Sequence, residues 1–548
     1  MPGPAEALGA RLRAALCGLA LALAAALGLA GPAAANDEDV DFLTRTLQGL
    51  LSDAGRQVRI RGFEGALSAR ATIRELTIAD GAGIWLVMRG LVLDWDRGAL
   101  LSRRIEVNAL TAELIEVRRA PLPSAAGPEL PSPVARRPFA LPELPVSIRV
   151  GELRADRVAL GADLLGAAAA FRIDGTAALA GGQGTARLEA VRIDGAEGRL
   201  DLAGGFDNAT RRLTLALDLA EGPGGIAAGL LGIPGRPAVR LTARGDDPIA
   251  AFRAELSLAT DGRERLSGRA TFLDTTPEAG VLEGAVFRLE LAGDLRPLLA
   301  PELHPFFGAE ARLAVAGSRA EDGALSLAEL SATTGALALD GRAELDAGGL
   351  PRLLDLSLRI GTPDGAPVVL PGTQGAARLE QAELLVRFDA GEGPDWAVLG
   401  RLERLELPRL ALAEVALDAR GRLDAAPDGS DGAAVPAFAG TIEFAALGIA
   451  AADPGLQAAL GSELYGLVSL IAPGGGAPVE LAGLALEGET ISLTGQGVLE
   501  GLAFDGFLEA GVPDLAPFSG LAGRALGGAA LATLRGRIEP LTGAFDVT

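Results

Sequence analysis

Residues 211–222 read RRLTLALDLAEG, which sets Leu213, Leu215, Leu217 and Leu219 on one side of an extended chain. Thr214, Ala216 and Asp218 fall on the other side. Strand side chains alternate between faces with a period of two, so this is a strand with one apolar face. The layout returns along most of the 548 residues. Leu91, Leu93 and Trp95 share a face, and so do Leu200, Leu202 and Phe206. Phe287, Leu289 and Leu291 form another such row, as do Leu337 and Leu339. Leu354, Leu356, Leu358 and Ile360 follow, then Val415 with Leu417, and Ile491 with Leu493.

An apolar strand face has to be covered, by a second sheet, by closure into a barrel, or by a bend that leaves a lined trough. A sandwich ends after roughly 100–150 residues and gives way to a linker. No linker recurs at that spacing. A membrane barrel wants aromatic girdles, and aromatics make up 4% of this chain. The expected fold is therefore mainly β: a long, curled, U-shaped sheet forming an elongated hydrophobic groove, with a few short helices. Seventy-five glycines and 33 prolines favour short elements and turns. Helical interruptions are expected around 225–231, 295–303, 456–469 and 514–526. At about twelve residues per strand and turn, roughly 40 strands are expected.

Five of these segments carry a glycine on the apolar face, at Gly204, Gly268, Gly341, Gly421 and Gly495, 64, 73, 80 and 74 residues apart. That spacing suits a repeat of about five strands and a connection. Glycine weakens a strand unless the chain bends there or something approaches closely. These positions are the expected bends of the groove.

Residues 1–35 hold a basic start (Arg11, Arg13), an apolar run and the small-residue stretch GPAAA. They read either as a cleavable secretory signal or as an N-terminal membrane anchor, and both place the remainder outside the cytoplasm. Residues 36–120 are expected to hold a short amphipathic helix (41–52) and a first β-module. Residues 121–145 are Pro-rich and cannot sit inside a sheet. Residues 146–548 continue the β pattern.

Chemistry is sparse. The lone Cys17 lies in the N-terminal apolar run, and His304 is the one histidine. No His/Cys metal cluster can be assembled from these, no lysine exists to complete a phosphate-binding GxxxxGK[ST] loop, and no cofactor is expected. A net charge of −22 disfavours nucleic acid. The acidic runs 37–41 and 428–432 match no calcium loop. Asn208–Thr210 form a chance glycosylation sequon, Trp396 and Tyr465 read as packing or rim residues, and Trp85 and Trp95 as packing or membrane-interface residues.

The block FLTRTLQGLLSDAGRQVRIRGFEGALSARATIRELTIADGAGIWLVMRGLVLDWDRGALLSRRIEVNALTAELIEVRR, with LPELPVSIRVGELRADRVALG, GIAAGLLGIPGRPAVRLTARG and DLAPFSGLAGRALGGAA further on, resembles the N-terminal part of the TamB branch of the AsmA-like envelope proteins of Gram-negative bacteria. The resemblance implies a repeating β-groove in the periplasm that moves phospholipids toward the outer membrane. It implies inner-membrane attachment at the N-terminal end. It also implies an Omp85-type outer-membrane partner met through a further C-terminal region, and the chain is expected to stop short of that region.

Three functions follow as expectations. The first is a bridge-like phospholipid conduit with no catalytic residue. The second is an assembly factor for outer-membrane proteins acting by strand addition. The third is a structural β-solenoid with a filled core.

Overall fold

The computed structural model describes residues 57–65, 68–122, 141, 146–275, 284–320, 322–424, 437–474, 477–500, 503–539 and 544–547. Residues 1–35, the helix expected over 41–52, both acidic runs and all of the Pro-rich segment except residues 121, 122 and 141 lie outside these. The chain is mainly β with a few short helices, and none of the helices among the described residues is long and apolar enough to cross a membrane. It divides into two compact units, Met1–Arg263 and Glu264–Thr548. The division does not fall at the Pro-rich segment, because the sheet runs past it.

The first unit opens with β1 (Gln57–Glu64), β2 (Arg70–Asp80), β3 (Gly83–Asp96), β4 (Arg104–Ala112), β5 (Leu114–Val117) and β6 (Ser147–Leu160). It continues with β7 (Ala169–Ala180), β8 (Gln183–Arg192), β9 (Gly198–Asp207), β10 (Arg212–Glu221), β11 (Val239–Pro248) and β12 (Ala251–Thr260). Pairing is antiparallel between neighbours with one exception: β4 and β5 lie antiparallel to β3 and parallel to β6. Parallel neighbours cannot be joined by a hairpin and need a long crossover. The Pro-rich stretch between Val117 and Ser147 supplies it. From β6 onward the sheet is an antiparallel meander. The tight turn from β7 to β8 is Gly181-Gly182, with φ of 55° and 76°; two left-handed residues in succession suit the twist of a hairpin and cost glycine nothing.

The second unit holds β13 (Arg263–Thr275, starting on the last residue of the first unit), β14 (Gly284–Gly293), β15 (Ala311–Ala320), β16 (Leu325–Thr333), β17 (Leu337–Leu345) and β18 (Pro351–Gly361). Two-residue strands β19 (Val368–Val369) and β20 (Arg378–Leu379) pair with each other in the connection that follows. Then come β21 (Gln381–Asp389), β22 (Asp395–Leu407), β23 (Leu410–Leu423), β24 (Phe438–Ala451), β25 (Glu463–Ala472) and β26 (Val479–Gly488). The last are β27 (Ser492–Glu500), β28 (Ala503–Val512), β29 (Ala530–Glu539) and β30 (Ala544–Val547). These long strands form an antiparallel meander in chain order, with β18 passing directly to β21.

Three expectations need correction. The described strands number thirty, fewer than expected, because most run 9–14 residues. The repeat is four long strands, not five. An irregular or helical connection follows β6, β10, β14, β18, β24 and β28, and the glycines Gly204, Gly268, Gly341, Gly421 and Gly495 sit on β9, β13, β17, β23 and β27, each the third strand after such a connection. Connections four strands apart leave a meander on the same edge, so within each unit the helical pieces share one rim. The third correction concerns residues 456–469. The helix is Pro454–Leu460: Asp453 caps it by accepting the Leu456 N–H at 2.8 Å, proline occupies its first turn, and Gly461 at φ 74° ends it. Leu464, Gly466, Val468 and Leu470 then alternate as β25.

Among the described residues the buried apolar clusters are small. One joins Val58, Ile60, Leu76 and Met88 of β1–β3. A second joins Ala112, Ala155 and Val158. A third, in the second unit, fixes the rim: Phe306 of the helix His304–Phe307 packs on Ala336 and Val368, and Thr334 Oγ1 donates to the Phe306 carbonyl at 2.7 Å. In the first unit the helix Ile226–Leu230 is pinned to the sheet by Glu221, whose carboxylate accepts the Ala227 N–H at 2.5 Å. Arg192 lies 4.0 Å from Glu221 and 2.7 Å from Asp194, and its hydrogen bond holds the Asp194 carboxyl down at about 2.

Candidate functional site

Residues opposed across a ladder point to the same side of the sheet, so register decides whether the leucine rows join. In the first unit they do. Leu213, Leu215, Leu217 and Leu219 oppose Phe206, Gly204, Leu202 and Leu200. Leu202 opposes Leu188, which opposes Gly175, which opposes Leu153. Leu153 opposes Leu110, and Leu110 opposes Leu93; Val107 links Val150 to Trp95. Leu91 opposes Ile73, and Ile73 opposes Phe63. Bulges lie along this path, but each leaves the apolar parity intact on its far side.

The second unit repeats the arrangement. Phe287, Leu289 and Leu291 oppose Phe272, Ala270 and Gly268 on one side and Gly317, Val315 and Leu313 on the other. Leu337, Leu339 and Gly341 oppose Ile360, Leu358 and Leu356, and Leu354 opposes Ala343. A central row then runs Leu358, Leu384, Gly400, Leu417, Phe444, Gly466, Leu486, Leu493. Val415 opposes Leu402, and Ile491 sits one residue ahead of β27 with the parity of Leu493. All the candidate lining residues thus fall on one face of their own unit.

Their exposure is the notable property. Every one of them is half-buried except Trp95 and Phe206, which are buried. Leucines in the middle of a two-sheet core would be sealed. These are covered by their in-plane neighbours and remain partly open on top. Phe206 is the local exception for a visible reason. Leu141, from the Pro-rich segment, lies over Gly184, the register partner of Phe206; its Cδ1 is 2.6 Å from where a Gly184 Cβ would stand. Leu141 is held there by Asn208, which accepts its N–H and donates to its carbonyl, both at 2.8 Å. The sequon asparagine is therefore a structural clamp.

The five repeat glycines lie on this face, and four of them are roofed. A Cβ on Gly341 would stand 2.3 Å from the Asp355 carbonyl oxygen and 2.8 Å from Leu356 Cδ2, and one on Gly421 2.0 Å from the Ala439 carbonyl oxygen and 2.7 Å from the Trp396 ring. Trp396 spreads over both Gly421 and Gly440 and stacks on Phe438 with ring centroids 5.4 Å apart. Large side chains leaning over strand glycines recover the packing that glycine forfeits. Gly204 differs, since nothing lies closer than 3.7 Å to its Cβ position.

The opposite face is charged. Arg199–Asp201 and Arg240–Asp218 pair at 2.6 Å, and Arg212–Asp246 at 2.8 Å. The arginine hydrogen bonds lower the Asp218 and Asp246 carboxyls. Such exposed pairs add little to stability because water screens them, and they keep this face in water. Two concavities open on it, about 630 Å³ in the first unit and about 840 Å³ in the second. Each is lined by a mid-sheet row together with its immediate chain neighbours, while the next residues along the leucine face, such as Leu356 and Ile360, take no part.

The remaining candidates are structural. Trp85 is buried, and buried Trp95 donates Nε1–H to the Ser68 carbonyl at 3.1 Å, so both pack instead of facing a membrane interface. His304 Nε2 lies 3.2 Å from the Leu299 carbonyl inside the rim connection. Tyr465 is exposed on the charged face. No family model, curated protein or solved structure matches the chain.

Proposed function

We propose that the leucine face holds lipid acyl chains and that the protein is a periplasmic, repeating β-groove conduit of the TamB-like kind, moving phospholipids between the inner and outer membranes of a Gram-negative envelope. Attachment to the inner membrane and an Omp85-type partner at the outer membrane belong to the same proposal. One observation carries it: rows of leucines brought into register over many strands, yet left half-open. An uncovered apolar stripe of that length invites aggregation, and an acyl chain covers it. Each CH₂ removed from water contributes about 0.8 kcal/mol, so a chain of about fifteen methylenes regains most of what leaving a bilayer costs. The lining is aliphatic and repetitive, so successive positions are nearly equal in energy and a chain can advance by small steps. The headgroup stays in water at the open side, and no residue has to make or break a covalent bond.

The direct test is native mass spectrometry of protein purified without detergent. Phospholipid bound to the intact chain is the expected result. A monodisperse, lipid-free chain would overturn the proposal.

A further inference from the structure

The outward concavity of the second unit has a lining that the fold does not require. Both units form such a hollow on the charged face. In the first, the outward positions hold Asp174, Arg187, Glu189, Asp201, Asp218 and Arg244, and nothing apolar larger than alanine. In the second, the outward positions include Leu385, Leu399 and Leu467 together with Tyr465. Leu385 and Leu399 are register partners, 40% and 42% exposed, and Tyr465 is 47% exposed. The leucine face gains nothing from them, since they point away from it. Large apolar groups placed in water on an otherwise charged face mark a contact site.

We infer that this hollow docks one amphipathic helix of a partner protein, with an apolar stripe flanked by lysine or arginine. Three features select that occupant. The first is size. The lining crosses β18, β21, β22, β23, β24, β25 and β26. Six strand spacings of about 4.8 Å make a trough roughly 29 Å long. It is three residues wide along each strand, close to the girth of one helix, and a helix of about nineteen residues spans its length.

The second is hydrogen bonding. Every strand under the trough is already paired on both sides. An extended peptide would find no ladder to join, whereas a helix arrives with its backbone satisfied. The third is charge. Four carboxylates (Glu383, Asp418, Glu443, Glu487) face two guanidiniums (Arg359, Arg401). Arg401 is engaged by Glu403 and Glu414, and Asp418 by Arg420. Among the described residues Glu383, Glu443 and Glu487 make no ion pair and neither does Arg359, so the groups left unengaged on the trough are three carboxylates against one guanidinium, an excess of negative charge for a basic flank.

The inference is independent of the lipid proposal, and its test keeps the two apart. The probe is a fluorescein-labelled synthetic helix of about nineteen residues, leucines at i, i+3, i+4 and i+7 and lysines elsewhere, titrated against the full chain by anisotropy. Saturable binding is expected. It should weaken about tenfold in L385D/L399D and about threefold in E443Q/E487Q, and stay unchanged in L356D, a leucine-face position that takes no part in the hollow. Bound helix should also shield Tyr465, the one tyrosine in the chain, from nitration by tetranitromethane. The glutamine pair and the nitration readout decide the matter if L385D/L399D fails to fold. Equal binding of a scrambled peptide would reduce the effect to charge and overturn the inference. So would loss of binding in L356D with retention in L385D/L399D, which would put the peptide on the leucine face. A concentration-dependent dimer abolished by L385D/L399D would make the occupant a second copy and likewise overturn it.

Discussion

The triple variant L215D/L339D/L356D should carry at least about tenfold less phospholipid than the parent protein, while T214D/A338D/S357D carries as much as the parent. Both variants add three negative charges on the same strands, β10, β17 and β18. They differ only in face: Leu215, Leu339 and Leu356 belong to the leucine face, and Thr214, Ala338 and Ser357 to the other. A half-buried leucine gives up about 1 kcal/mol of apolar contact when replaced. A carboxylate next to a hydrocarbon tail adds a desolvation cost of several kcal/mol unless water follows it in. Water entering an acyl path has the same consequence as the penalty itself, because it divides the dry stretch. The targets are only half-buried, so the fold should lose about 1 kcal/mol per site, and circular dichroism with thermal melting would confirm that both triples remain folded. Lipid load and vesicle-to-vesicle transfer are the readouts. Equal loss from both triples would implicate charge or stability; no loss from either would remove the leucine face from function.

Gly421→Val should destabilise the second unit by about 2 kcal/mol, or roughly 4–8 °C in melting temperature, although valine is the better strand former. The new Cβ would stand 2.0 Å from the Ala439 carbonyl oxygen, 2.6 Å from the Gly440 Cα and 2.7 Å from the Trp396 ring, so the neighbouring strand's backbone obstructs it as well as the indole. The indole is itself wedged over Gly440 and stacked on Phe438, so it has nowhere to retreat. Replacing Trp396 by alanine should relieve part of that conflict, making the double variant less destabilised than the sum of the singles. Gly204→Val supplies the contrast. Its Cβ direction is open to 3.7 Å, and there valine should be neutral or mildly stabilising by restricting the unfolded chain. Melting curves of the four variants check this; similar losses at Gly421 and Gly204 would show that the close neighbours of Gly421 do not set the cost.

The period-two rows were legible in the sequence because parity is a local property. Once Leu213 to Leu219 are seen to alternate, their common face follows, and the hairpins preserve it. Partner choice is not local. Nothing within residues 104–117 says that they will lie parallel to Ser147–Leu160. The helix end at Gly461 is hidden for a similar reason: Leu456, Leu460, Leu464 and Leu467 fit a helical stripe, and only the left-handed glycine between them separates helix from strand. The start was available in Asp453-Pro454, a capping residue followed by a first-turn proline. The outward hollow of the second unit also left a trace. The stretches ELLVRF, AVLGRL and GLVSL set two or three large apolar residues side by side, which in a strand makes both faces apolar. Reading each strand for its better face alone conceals that.

The central claim is tested most directly by a photoreactive amino acid walked along β23 at positions 415 to 420, one residue at a time, in protein isolated from the cells that express it. Phospholipid adducts should appear from Val415, Leu417 and Ala419 and be absent from Ala416, Asp418 and Arg420, an alternation that only a tail lying on the leucine side can produce. Adducts of equal yield at all six positions, or at none, would contradict the account.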